Sequence, residues 1–81
     1  MYQVVYSRLV KAQTRSRAPQ ARADLRRTAE LIAASPWQGQ HWRGSPPEYR
    51  SLPFGTSGLV VYLIREQAAT VVVLELVWVG R

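Results

Sequence analysis

Tyr49-Arg50-Ser51-Leu52-Pro53-Phe54-Gly55-Thr56-Ser57-Gly58-Leu59-Val60-Val61-Tyr62-Leu63-Ile64, continued by Thr70–Val79 and closed by Arg81, is the stretch that decides the fold. Tyr49–Phe54 alternates and reads as a strand. It reads as an edge strand, because Pro53 has no N–H to give to a ladder. Gly55–Gly58 reads as a turn. Leu59–Ile64 and Thr70–Val79 are apolar on both parities, the pattern of strands covered on both faces. Arg65–Ala69 joins them as a hairpin loop. Strands that follow one another through short links predict an antiparallel meander.

Working outward, Tyr2-Gln3-Val4-Val5-Tyr6 is β-branched and aromatic and reads as a first strand. Ser7 is placed to cap a short helix running to about Arg15, with a weak apolar stripe of Leu9, Val10 and Ala12. Ala21, Leu25, Ala29 and Ile32 fall on one face of a helix from Pro19 to Ala34. Pro19 suits its first turn, and Ser35-Pro36 ends it. Trp37–Pro47 is a loop by composition, and its Trp37 and Trp42 read as packing anchors. The expected architecture is one α+β domain over 1–81. One or two N-terminal helices pack on a mainly antiparallel four-stranded sheet, in the order β-α(α)-β-β-β.

With 81 residues there is room for one modest core, and 47% hydrophobic residues exclude a disordered chain. The apolar runs fall short of the roughly 20 residues that a membrane span needs. No secretory leader is visible, so a cytoplasmic location is expected. The absence of cysteine rules out disulfides and thiolate chemistry. One histidine, His41, and five carboxylates give no metal-ligand pattern, so neither metal nor cofactor is expected. The serines lack a hydrolase signature, and Gly55–Gly58 is too short to cradle phosphate.

The net charge is +6, and ten of the eleven basic residues are arginine. Arginine binds phosphate and carboxylate in a fixed fork, so an acidic partner is expected: a nucleic acid or an acidic protein. Residues 8–27 hold seven cations against Asp24 alone. Within that stretch, Arg8, Lys11, Arg15, Arg22 and Arg26 would share one face if the helix ran continuously, although the Pro19 ring would then meet the Arg15 carbonyl. They are the candidate binding residues; a solvated helix face is the plainer reading. Glu75 interrupts a run of valines and leucines and is expected to pair with an arginine. His41 and Trp42 could stack on a base, but read more simply as loop packing.

The pattern resembles the RelE/ParE toxin superfamily. Ser35-Pro36-Trp37-Gln38-Gly39 is similar to that family's proline–glycine element after the second helix. Tyr49–Gly55 resembles its strand leading into a turn, and Ser57–Tyr62 its next strand. Val71–Gly80 with terminal Arg81 resembles its last core strand and closing basic residue. The likeness covers Pro19 to Arg81 and is poor over Ser7–Ala18. It implies the toxin half of a type II toxin–antitoxin system, neutralised by a cognate antitoxin that wraps it.

Two activities occur in the family. RelE-like members are ribosome-dependent endoribonucleases that cut mRNA without metal; ParE-like members inhibit DNA gyrase. Cleavage needs basic groups around the scissile phosphate. Gly58-Leu59-Val60-Val61 carries none, which leaves Arg50 and Arg81 as the candidate catalytic residues. The expectation is therefore ParE-like, a gyrase inhibitor rather than an enzyme. A RelE-like nuclease is the alternative, and a non-toxic basic nucleic-acid-binding module a further one. In the last strand Val71, Val73, Val77 and Val79 share one parity, and Val72, Leu74, Leu76 and Trp78 the other. Only one set can face the helices; the other is expected to meet an antitoxin segment or a second copy in a homodimer.

Overall fold

The Ser7 hydroxyl accepts from the Val10 N–H at 3.2 Å and starts the first helix immediately after the first strand. The computed structural model of the chain describes residues 1–15 and 17–78. In order these form β1 (Gln3–Tyr6), α1 (Arg8–Thr14), α2 (Pro19–Ala34), β2 (Gln40–His41), β3 (Tyr49–Phe54), β4 (Gly58–Arg65) and β5 (Thr70–Trp78). Single 3₁₀ turns lie at Pro36–Gln38 and Glu66–Ala68. The α+β reading stands, and α2 runs between the boundaries that its proline and its apolar spacing set.

The five-stranded sheet has the order β1-β5-β4-β3-β2, with β1 parallel to β5 and the other pairs antiparallel. Four strands were expected. The additional one, β2, lies inside the loop and pairs over only Gln40 with Ser51 and His41 with Arg50. A pairing of two residues leaves no periodicity to read. It also places β3 one position in from the edge, while Pro53 extends past the end of β2, where no ladder N–H is needed.

The helices cover one face of the sheet. Val10, Leu25 and Ile32 meet Phe54, Val60, Tyr62, Ile64, Val71, Val73 and Leu76 in a single buried cluster, with Trp78 against it. Phe54 and Trp78 pack edge to face with ring centroids 5.3 Å apart. A bulge corrects the expected parities of β5. Val61 pairs with Glu75 and Tyr62 with Val73, so Leu74 is an additional residue. Val71 and Val73 therefore share the core face with Leu76 and Trp78, while Val72 and Val77 lie on the other face. Val79 lies outside the described residues.

Candidate functional site

α1 and α2 are separate helices, so Arg8, Lys11, Arg15, Arg22 and Arg26 do not form one continuous helical face. The chain brings three of them together by another route. α1 and α2 flank a hollow of about 190 Å³ whose floor is Val10 and Leu25, with Tyr6, Lys11, Arg22 and Arg26 around it. Arg22 and Arg26, one helical turn apart, also wall an adjoining hollow of about 310 Å³ with Pro19 and Ala23. Neither Arg8 nor Arg15 lines either hollow.

The charges at this cleft are uncompensated. Among the described residues the one ion pair is Arg27 with Asp24 at 3.4 Å, and Asp24 also accepts from Gln20 at 3.0 Å. Lys11, Arg22 and Arg26 are exposed and make no ion pair within that set. Burial raises the Tyr6 phenol above its ordinary range, and the Arg26 charge acts in the opposite sense. Such a cleft can receive a phosphate or a carboxylate.

Arg50 occupies a different setting. Its Nε donates to the Pro47 carbonyl at 2.9 Å and a terminal nitrogen donates to the Gly39 carbonyl at 3.0 Å. Its guanidinium lies over the Trp37 ring, 5.1 Å from the centroid. Trp37 in turn donates to Glu66 at 3.0 Å, and the same carboxylate accepts from the Tyr2 hydroxyl at 2.8 Å. That hydrogen bond is the main cause of a raised Tyr2 pKa. Arg50 thus ties the loop to the strand. It pairs with Tyr62 in register, on the core-side parity rather than the side away from the helices. His41 is also tied locally, with its Nε2 2.6 Å from the Ser45 carbonyl. Arg81 lies outside the described residues.

The side of the sheet away from the helices carries three cross-strand rungs between β4 and β5: Leu63 with Val72, Val61 with Glu75, and Leu59 with Val77; Val61 is buried and Glu75 exposed. Tyr49, Ser51 and Pro53 extend them on β3, and Val5 extends the first rung on β1. None of these residues is basic; Arg65 stands at the end, opposite Thr70. Glu75, expected to be ion-paired, is exposed and makes no ion pair among the described residues. Among the described residues, no group of His, Asp and Glu could hold a metal, and no helix is long and apolar enough to cross a membrane.

Compared as a shape, the chain superposes on toxin structures. It matches the toxin of the intact E. coli RelBE toxin–antitoxin complex with a TM-score of 0.83 and 19% identity, over 100% of both chains. The fold is that of RelE. A double arginine-to-alanine variant of E. coli RelE bound to a peptide of its antitoxin, RelB, matches with a TM-score of 0.83 and 18% identity, over 99% of this chain and 85% of that one. A metal-bound toxin from Helicobacter pylori matches at 0.60 and 16% identity, over 98% and 96%. No family model and no curated protein sequence matches the chain. The leaning toward ParE finds no support in these matches, which are to RelE.

Sequence reasoning missed two features of this surface. The pairing of Lys11 with Arg22 and Arg26 across two helices has no linear signature. The central place of Glu75 depends on the bulge at Leu74, and a bulge leaves no mark in a run of alternating apolar residues.

Proposed function

We propose that the chain is the toxin of a type II toxin–antitoxin pair, neutralised by a cognate antitoxin and directed, as RelE-like toxins are, at ribosome-bound mRNA. The observation that carries this reading is the superposition on RelE along the whole chain, including RelE bound to its antitoxin and to an antitoxin peptide. The cationic cleft of Lys11, Arg22 and Arg26 supports it, because ribosomal targets are polyanionic and an unpaired basic cluster binds phosphate at little desolvation cost.

Gyrase inhibition remains the second reading, on one observation. The sheet face away from the helices has no basic side chain on its three central rungs, and metal-free RNA cleavage needs cationic groups around the scissile phosphate. Arg50 and Arg81 are the residues left for cleavage. Two assays on the purified protein separate the readings: translation-coupled mRNA cleavage and gyrase supercoiling. Cleavage that Arg81→Ala abolishes supports the ribosomal reading. Inhibited supercoiling with intact mRNA replaces it with the gyrase one.

A further inference from the structure

We infer that the hollow between α1 and α2 is a binding site for a single nucleoside phosphate, its phosphates held by Lys11, Arg22 and Arg26 and its base laid over Val10 and Leu25 beside Tyr6. This goes beyond the toxin reading and does not rest on it.

The site has two parts. The inner hollow, about 190 Å³, is floored by Val10 and Leu25, which belong to the core cluster. A floor fixed in the core is formed before any ligand arrives, so binding needs little ordering of the protein. Tyr6, the last residue of β1, packs against the same cluster and gives the hollow an aromatic wall. The Thr14 hydroxyl donates to the Val10 and Lys11 carbonyls at 3.1 and 3.2 Å, so what it offers the hollow is an acceptor, suited to the amino group of a base.

The outer hollow, about 310 Å³, is walled by Arg22 and Arg26, which line both parts. One helical turn separates them, about 5–6 Å between Cβ atoms. That spacing lets two guanidinium forks close on one phosphate or on the two of a diphosphate. Lys11 adds a third cation from α1. No carboxylate lines either hollow. Asp24 is buried beside Gln20 and Arg27, and Glu30, one turn beyond Arg26, makes no ion pair with it.

This arrangement discriminates among anions. A bare phosphate uses the cations and leaves the inner hollow unfilled. An acidic peptide spreads single charges along its chain, whereas three cations around one hollow match a ligand that concentrates its charge. Duplex RNA keeps its bases stacked inside and brings only phosphates to the rim. One unstacked nucleotide fills both parts. It can come as a free nucleotide or as an unpaired nucleotide of an RNA strand, with the same chemistry at the hollow.

The test titrates the full chain at low salt with adenosine diphosphate, with pyrophosphate and with single-stranded hexaadenylate RNA, by calorimetry and by backbone amide resonances. Adenosine diphosphate should bind at least about tenfold tighter than pyrophosphate, the share of the base. It should shift the resonances of Tyr6, Lys11, Arg22 and Arg26. Arg22→Gln with Arg26→Gln should weaken it at least about tenfold. Both side chains are exposed, so the fold is kept, and circular dichroism checks this. Equal affinity for adenosine diphosphate and pyrophosphate, shifts elsewhere in the chain, or an unaffected double variant overturns the proposal. So does failure of both the nucleotide and the oligomer to bind. Displacement of the nucleotide by the oligomer assigns the site to an RNA strand; nucleotide binding that the oligomer leaves untouched assigns it to the free ligand. Ribosome binding that persists where no nucleotide binds sinks this proposal and leaves the toxin reading intact.

Discussion

Gln13 and Leu76 are joined by a pair of hydrogen bonds. The Gln13 side-chain amide donates to the Leu76 carbonyl at 2.9 Å, and its oxygen accepts from the Leu76 N–H at 3.0 Å. β1 stops at Tyr6, opposite Val73, so the outer edge of β5 would lie bare beyond that point. α1 covers it: the Ser7 hydroxyl donates to the Leu74 carbonyl at 2.8 Å, and Gln13 then serves Leu76 as a strand would. Gln13→Ala leaves both Leu76 groups without partners, and it should destabilise the fold by about 1–3 kcal/mol. Urea unfolding of the variant beside wild type measures this.

Tyr62 contributes stability that alkali should remove. Its ring is buried and its hydroxyl donates to the Pro36 carbonyl at 2.6 Å. Burial pushes its pKa up to about 12 from 10.0. The folded state therefore keeps a proton that the unfolded state releases. Stability from this residue is complete below pH of about 10 and is lost as pH rises toward 12. The slope there is at most about 1.4 kcal/mol per pH unit. Tyr62→Phe removes that slope and leaves the Pro36 carbonyl unpaired. Denaturation series between pH 9 and 12 should show the wild-type decline and a flatter variant.

Most of the architecture was legible because the chain's punctuation is physical. Pro19 and Ser35-Pro36 bound α2, Ser7 caps α1, and Gly55–Gly58 makes the turn between β3 and β4. What escaped depends on distant chain meeting distant chain. β2 exists because Gln40 and His41 lie beside Ser51 and Arg50, and the β5 faces exchange because Leu74 bulges. Arg50 was read as a candidate for chemistry, and its guanidinium is engaged by two carbonyls and the Trp37 ring. Arginine in sequence does not reveal which carbonyls surround it.

Gly55 and Gly44 separate backbone strain from steric contact. Both have positive φ, +61° and +81°. A methyl group at Gly44 meets nothing within 4 Å, whereas at Gly55 it would strike the Asp24 carboxylate, which is buried beneath the turn. Gly44→Ala should cost about 1 kcal/mol, the price of left-handed strain alone. Gly55→Ala should cost clearly more, because Asp24 must also give up its place beside Gln20 and Arg27. Equal losses in thermal denaturation would show that Asp24 yields freely.

Arg22 and Arg26 should act on binding and not on stability. They make no ion pair among the described residues, so Arg22→Gln with Arg26→Gln relieves repulsion with Lys11 and leaves the melting temperature unchanged or higher. Binding to ribosomes carrying mRNA should weaken. The salt dependence of log affinity should flatten by about 1.4 to 1.8 if each arginine contacts one phosphate. An unaltered salt slope would remove the cleft from the target interface.

The most direct measurement of the toxin reading is growth after induction of this chain, alone and together with the product of the adjacent open reading frame. Growth arrest with the chain alone, relieved by the neighbour, is the predicted result. Unimpaired growth with the soluble chain expressed alone would contradict it.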